Sequence, residues 1–341
     1  MEITYNAAIP NTFGLSVKAD CIVRFSTDSE LASVIAMVRN GALKQPLLCL
    51  GEGSNMMFDG DFKGSVLVSL IKGTEVVEET ADYIVLRVGS GYGWNDFTAY
   101  CASKGYFGVE NLSGIPGTVG AAAVQNIGAY GAEAGNLIDS VETVDLETGS
   151  AKIFSVQECG YAYRDSVFKK PSFKKYLVTY VRFRLSKVEH YALEYGRLAE
   201  AVGKDGELSL GTVRKAVIGI RNSKLPDPSE VGSAGSFFKN PIVSAEVYAS
   251  LALSYPDMPH YPAPSGDGVK LSAAWLIERC GWKGRSLGKA AVWGKQPLVI
   301  VNTGGASASD IMNISAAVVN SVFEKFGIRL EKEVQFVGDN G

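Results

Sequence analysis

The stretch that most constrains this chain is residues 108–133, GVENLSGIPGTVGAAAVQNIGAYGAE. Glu110 and Glu133 lie near its ends, and no ionic side chain lies between them. Glycine recurs at Gly114, Gly117, Gly120, Gly128 and Gly131, with Pro116 among them. A core helix is a poor home for so many glycines, because each costs about 1 kcal/mol against alanine. A plain surface loop is a poor home for Ile115, Val119, Val124 and Ile127. The pattern predicts buried, irregular backbone lying close against something large. Glycine permits positive φ and close approach, and free backbone N–H groups suit phosphate oxygens. A tight corner inside a core would use the same residues, so composition alone leaves both readings open.

The rest of the composition narrows the class. The chain has 341 residues, room for two or three domains, and is 46% hydrophobic and 20% charged, which predicts packed cores. The net charge is −3 with no basic run, which argues against nucleic-acid or membrane-surface binding but not against a local anion pocket. No apolar run is long enough for membrane insertion, and the N-terminus lacks a signal-peptide pattern. Five scattered cysteines without a CxxC pair support neither a disulfide framework nor a zinc ribbon, and fit a reducing cytoplasm. With only His190 and His260, no metal site and no histidine-based triad is expected.

In chain order, residues 20–25 read as a strand, 29–40 as a helix closed by Gly41, and 46–50 as a buried strand. That strand runs into Gly51-Glu52-Gly53-Ser54-Asn55, a turn able to grip a phosphate. It is neither GxGxxG nor a P-loop, and Gly-Ser-Asn is also ordinary turn chemistry. Residues 64–186 are rich in strands, which predicts an α+β unit centred on the glycine loops. Residues 210–221 read as a helix, and KLPDP at 224–228 as a domain boundary. Beyond it come helices at 245–253 and 272–280, a proline- and glycine-rich loop at 256–268, and a serine-capped helix at 309–326. A closing strand is expected at 329–337.

Several polar residues are bland one at a time. Arg164, in an aromatic run, either pairs with a structural carboxylate or holds an anionic ligand. Ser236, between Gly235 and Phe237-Phe238, reads as a turn residue. Glu333 reads as a solvated strand residue, and Cys49 and Cys101 as inert core.

Their combination is not bland. The motifs are LGEGSN at 50–55, ENLSGIPGTVGAAAVQNIGAYG at 110–131, YRDSVFK at 163–169, Tyr195-Gly196, KLPDP, AGSFFKNP at 234–241 and LEKEVQFVG at 330–338. With them the chain resembles, nearly end to end, the UDP-N-acetylenolpyruvoylglucosamine reductases, flavoenzymes of peptidoglycan precursor synthesis. The tyrosine-bearing segment and the Gly-Ser-Phe-Phe motif resemble the form with an extra substrate loop. Ala121-Ala122 departs from relatives that carry two serines near the flavin pyrophosphate, which leaves backbone N–H groups as the contacts there.

The resemblance implies a two-subdomain FAD-binding module of vanillyl-alcohol-oxidase (PCMH) type over 1–70 and 71–223. A C-terminal α+β substrate domain follows at 224–341. It implies non-covalent FAD held by Gly51, Glu52, Gly53, Ser54, Asn55, Ser113, Gly114, Gly117, Gly120, Ala121, Ala122, Val124, Gln125, Ile127, Gly128 and Arg221. It gives catalytic roles to Arg164, Ser236 and Glu333, with Lys239 or Arg164 near the serine. Tyr130, Tyr195, Lys224, Asn240, Lys283 and Gln296 would bind substrate. NADPH would be the reductant, UDP-N-acetylglucosamine enolpyruvate the substrate, and a cytoplasmic monomer the working form. The alternative is an FAD-dependent alcohol oxidase or dehydrogenase of the same fold, which needs no C-terminal serine motif.

Overall fold

The computed structural model describes residues 1–204, 206–263 and 266–338. Residues 264–265 of the expected 256–268 loop, and 339–341 of the expected last domain, lie outside the described residues. The chain divides into two compact units. The first is Met1–Ile9, Lys18–Glu52 and Lys63–Arg221; the second is Pro10–Val17, Gly53–Phe62 and Asn222–Gly341. The division thus runs through the expected 1–70 subdomain rather than along its end.

The first unit holds two sheets. In one the strand order is Glu2–Ala8, Lys18–Phe25, Phe62–Ser69, Leu47–Leu50, the last pair parallel. Thr27 caps the helix Asp28–Arg39, whose Leu31 and Val34 are buried with Val23, Phe25 and Leu67. Each such side chain contributes about 1.5–3 kcal/mol. Leu47–Leu50 is an outer strand, so it is not the buried strand expected, and Cys49 is exposed rather than core, although desolvation pushes its thiol pKa up to about 12, as for an inert cysteine.

The other sheet is antiparallel, in the order Ala151–Ser155, Ile138–Asp145, Tyr176–Ser186, Tyr83–Gly89, Thr74–Glu79. Its register sets Val181 opposite Val141 on one side and Val88 on the other, all three buried. Trp94, Phe97 and Phe183 pack in the same core, with the two phenylalanine rings 4.9 Å apart. The indole N–H of Trp94 donates to the carbonyl of Leu112 at 2.8 Å, which pins the glycine-rich stretch to this core.

That stretch is not irregular throughout, as the glycine count suggested. It contains a single 3-10 turn, Glu110–Leu112, then the helix Val119–Gln125 and the hairpin Gly128–Ala129 with Ala132–Glu133. Glycine is needed inside the helix for space, since a Cβ at Gly120 would lie 2.8 Å from that of Ser90. The helix ends at Asn126 in the left-handed region, φ +48°. Tyr130 and Gly131, at φ +47° and +82°, form the hairpin turn with the signs of a type I′ turn.

The second unit carries an antiparallel sheet in the order Gly232–Ser236, Val299–Asn302, Ala290–Val292, Ser286–Leu287. The helix Ala308–Phe326 starts with a capping box between Ser307 and Asp310 and ends at Gly327, φ +69°. Its buried Ile311, Ile314, Val318 and Val322 recur at helical spacing. The closing strand is only Gln335–Val337, parallel to Met56–Phe58. Leu330, Val334 and Val337 are the buried residues here, and their spacing does not alternate as a strand requires. Glu333 therefore precedes the strand rather than lying in it. No helix among the described residues is long and apolar enough to cross a membrane.

Candidate active site

In the first unit Gly51 and Glu52, the opening of the first glycine-rich turn, are built against the 114–128 segment. A Cβ at Gly51 would lie 3.0 Å from Thr118 Oγ1 and 3.2 Å from Ala121 Cβ. The Glu52 carboxylate accepts the Gly117 N–H at 2.9 Å. The expectation of free backbone donors in this stretch is corrected. Gly114 N–H donates to Asn95 Oδ1 (3.0 Å), Val119 N–H to Tyr92 O (2.9 Å) and Gly120 N–H to Ser90 O (2.9 Å). Ala121 N–H donates to its cap, Thr118.

The unmet capacity lies in side chains instead. Ser113 Oγ and Gln125 Nε2 are buried and have no partner among the described residues. Arg221 Nε donates to Gly114 O at 3.2 Å, and among the described residues no carboxylate pairs with its guanidinium. Burial pulls this guanidinium below its ordinary range, against the nearby Tyr130 phenol. An orphaned buried polar group costs about 1–3 kcal/mol and an uncompensated buried cation more. These donors fit an anionic, hydrogen-bonding ligand such as the diphosphate-bearing flavin. Ala122 is buried and Val124 and Ile127 pack on the core beside it.

Arg164 is the third residue of a turn that Ala162 and Asp165 close, each N–H donating to the other's carbonyl at 3.1 and 3.0 Å. Its φ is +54°, a conformation that costs a non-glycine residue about 1–2 kcal/mol. Lys169 Nζ donates to the Arg164 carbonyl at 2.8 Å, and the guanidinium donates to the carbonyl of Gly128. A Cβ at Gly128 would lie 2.5 Å from Arg164 Nη1 and 3.0 Å from Ala132 O, so a side chain there would push the guanidinium aside. On the hairpin turn, the Tyr130 ring meets that of Tyr195 edge-on at 6.0 Å. Asn111 Nδ2 donates to the carbonyls of Tyr130 (2.9 Å) and Ala192 (2.7 Å), joining the hairpin to the tyrosine-bearing segment.

In the second unit Ser236 ends the strand Gly232–Ser236, opposite Val299. The chain then pairs with the segment before the closing strand. Lys239 N–H donates to Glu331 O (2.9 Å), and Glu333 N–H to Phe237 O (2.8 Å). Ser236 and Glu333 thus sit at neighbouring positions on paired backbone. Phe237 and Phe238 are fully buried, their rings 5.1 Å apart, and give this junction a rigid base. Asn55 holds it from a third segment: its Nδ2 donates to Glu333 O (3.3 Å) and its carbonyl accepts from Gln335 N–H (3.0 Å). Gly53, at φ +68°, has no room for a Cβ against the carbonyl of Pro10, and Ser54 follows it in the same segment.

The remaining expected residues are more scattered. The Lys239 ammonium lies 3.7 Å from exposed Glu331. Asn240 Oδ1 accepts the Ala273 N–H at 3.0 Å, at the start of the helix Ala273–Arg279. The Lys224 carbonyl accepts from Trp293 Nε1 (2.9 Å), and the Gln296 carbonyl from Val299 N–H (3.0 Å). Lys283 is exposed and pairs with Glu278 at 2.7 Å. Four residues of this architecture carry no role in the sequence expectations: Asn95, Thr118, Asn126 and Ser166. Thr118 before VGAAAV is a helix-cap signal, and Asn126 after it a left-handed stop signal. Asn95 and Ser166 carry no local signal. Among the described residues no group of three or more His, Cys, Asp or Glu is placed to hold a metal.

Comparison with known proteins agrees with this geometry. A family model for the FAD binding domain matches residues 19–156. One for the C-terminal domain of UDP-N-acetylenolpyruvoylglucosamine reductase matches residues 227–337. The UDP-N-acetylenolpyruvoylglucosamine reductase of Bacteroides fragilis strain YCH46 is 50% identical over 337 residues, covering 99% of this chain and 100% of that one. That of Porphyromonas gingivalis strain ATCC 33277 is 43% identical over 329 residues, 96% of each chain. The crystal structure of the enzyme from Thermus caldophilus, 23% identical, shares the fold with a TM-score of 0.66 over 98% of each chain. The chain belongs to the UDP-N-acetylenolpyruvoylglucosamine reductase family, FAD-dependent oxidoreductases of peptidoglycan precursor synthesis.

Proposed function

We propose that this chain uses NADPH to reduce UDP-N-acetylglucosamine enolpyruvate to UDP-N-acetylmuramate, acting as a cytoplasmic monomer. FAD, when bound, would supply the two-electron hydride chemistry that links NADPH to C3 of the enolpyruvyl group. Ser113, Gln125 and Arg221 supply the hydrogen bonds and charge that hold it, on the frame made by Gly51, Glu52 and the 114–128 segment. Addition of hydride at C3 leaves negative charge on C2 and the carboxylate, and such charge needs donors already in position. Arg164 meets that need: its planar fork matches a carboxylate, and its turn fixes the fork beforehand. Ser236 gives the proton to C2, so hydride and proton together saturate the double bond. A serine hydroxyl is a weak acid, and protonation by it is reasonable because an enolate carbon is strongly basic. Glu333 orders the carboxylate end beside Ser236. Tyr130, Tyr195, Lys224, Asn240, Lys283 and Gln296 grip the nucleotide sugar.

The observation that carries this reading is the pairing of 237–239 with 331–333, which makes neighbours of a serine and a glutamate nearly a hundred residues apart (~100, counted along the chain) on a fully buried base. The test is anaerobic absorbance. NADPH bleaches the bound flavin, and the enolpyruvyl sugar nucleotide restores its colour with release of the saturated lactyl ether. Colour restored only by oxygen, with no saturated product, would contradict it.

A further inference from the structure

We infer that Asn126 is a positioning residue for Arg164, and that through it the end of the flavin-loop helix fixes the arginine's turn. The inference rests on the role proposed above for Arg164. Asn126 is 1% exposed and stands at φ +48° just past the helix Val119–Gln125. Its amide is spent on three segments at once. Oδ1 accepts the Gly135 N–H at 2.8 Å; Nδ2 donates to Ala162 O at 2.8 Å and to Glu133 Oε2 at 3.1 Å.

The Ala162 carbonyl is the one that closes the turn holding Arg164 in its left-handed conformation. A second tie runs the same way: Ser166, also 1% exposed, donates its hydroxyl to Val124 O at 2.6 Å. The turn is thus bolted on both sides to the last residues of the helix, and the guanidinium reaches Gly128 two residues further on. A strained arginine persists only where its surroundings over-determine it, and Asn126 and Ser166 are the buried residues that do so, Asn126 by bonding the turn's own carbonyl.

Glu133 on the hairpin bonds Asn126 directly; the other ionisable groups on the segments packed against it are Tyr161 before the turn, Arg164 and Asp165 on it, and Lys169 in the 3-10 turn that follows. The informative substitution is therefore Asn126→Asp. It keeps the acceptor for Gly135 but turns the donor end into a carboxylate facing Glu133. Two carboxylates so close cannot both ionise, and a shared proton restores one donor as pH falls.

The experiment is stopped-flow absorbance on the FAD-loaded enzyme, one half-reaction at a time, with FAD affinity measured separately by fluorescence titration. In Asn126→Asp at pH 8, reoxidation by the enolpyruvyl substrate should slow by roughly 10-fold or more, the scale set by a small misplacement. It should recover towards the parent rate as pH is lowered to about 5.5, where a shared proton is retained. Reduction by NADPH and FAD affinity should stay within about threefold, since neither uses the arginine fork. Asn126→Gly, which keeps the backbone conformation and removes the amide, should slow reoxidation without the pH recovery. Ser166→Ala should slow it in the same direction. If Asn126→Asp and Ser166→Ala reoxidise at the parent rate while Arg164→Ala is slow, this inference fails and the role of Arg164 stands. If Arg164→Ala also keeps the parent rate, both fall. Loss of FAD affinity together with both half-reactions reduces Asn126 to a structural residue and overturns the inference.

Discussion

The backbone N–H of Glu333 donates to the carbonyl of Phe237 at 2.8 Å. Through this bond the late acidic residue and the serine motif become one local structure, with Phe237 and Phe238 fixed in the core beneath. The backbone around Ser236 and Glu333 is therefore set by pairing between distant segments.

Arg164→Lys should not be conservative. Lysine keeps the charge but loses the fork that matches a carboxylate and reaches Gly128. Reoxidation of the flavin by the enolpyruvyl substrate should fall on the order of 10²-fold, as for loss of one anion-stabilising donor. Reduction by NADPH should be nearly unchanged. Parent-like turnover would make Arg164 a structural residue.

Glu142 should be a main source of acid-sensitive stability. It lies across the five-stranded sheet between Arg87 Nη2 (2.9 Å) and Arg182 Nη2 (2.8 Å), with the Arg87 guanidinium stacked 3.3 Å from the Tyr180 ring centre. Burial pushes its carboxyl up, but the hydrogen bonds from Arg87 and Arg182 outweigh this and hold it below the ordinary range. A depressed carboxyl stabilises the fold above its unfolded value, and the contribution is lost as pH falls through the folded one. Glu142→Ala leaves two arginines facing each other and should cost about 1–3 kcal/mol at pH 7, between exposed and buried pairs. Urea melts at pH 7 and pH 3 check it: the gap between parent and variant should close in acid.

Glu110 should act with the opposite sign. It is 3% exposed and accepts the Gly108 N–H at 2.7 Å. Burial pushes its carboxyl up, against that hydrogen bond. The folded chain then holds the proton more tightly than the unfolded one, so stability falls as pH rises from the ordinary glutamate value through the raised one. Glu110→Gln keeps the acceptor without the charge. Its melting temperature should exceed the parent's at pH 8, with the difference shrinking by pH 4. A variant less stable than the parent at pH 8 would show that the charge is compensated.

Much of this was legible in the chain because local chemistry set it. The helix expected at 309–326 is announced by its spacing and terminal glycine, though its capping serine is Ser307 and not Ser309, and the glycine turns at 51–55 and 114–128 by their composition. What was not legible depends on partners far away in sequence. No local rule says that a Cβ at Gly51 would crowd Thr118, or that Gly120 faces Ser90 and so can sit inside a helix. The backbone donors read as free are taken by Tyr92, Ser90 and Asn95. Cys49 reads as core because its neighbours are leucines, yet its strand lies at a sheet edge. Motif resemblance named Ser236 and Glu333 as site residues, while only the tertiary pairing shows how one local structure holds both.

The most direct test is anaerobic stopped-flow absorbance of Ser236→Ala, with the two half-reactions followed separately. Hydride arrival from NADPH needs no proton from Ser236, so flavin reduction should run near the parent rate. Reoxidation by the enolpyruvyl sugar nucleotide should slow by about 10²-fold or more, the range for loss of a positioned acid. Ser236→Cys should fall between the two, since a thiol donates a proton but is larger. An alanine variant that reoxidises its flavin at the parent rate and releases the saturated product would contradict the assignment of the proton to Ser236.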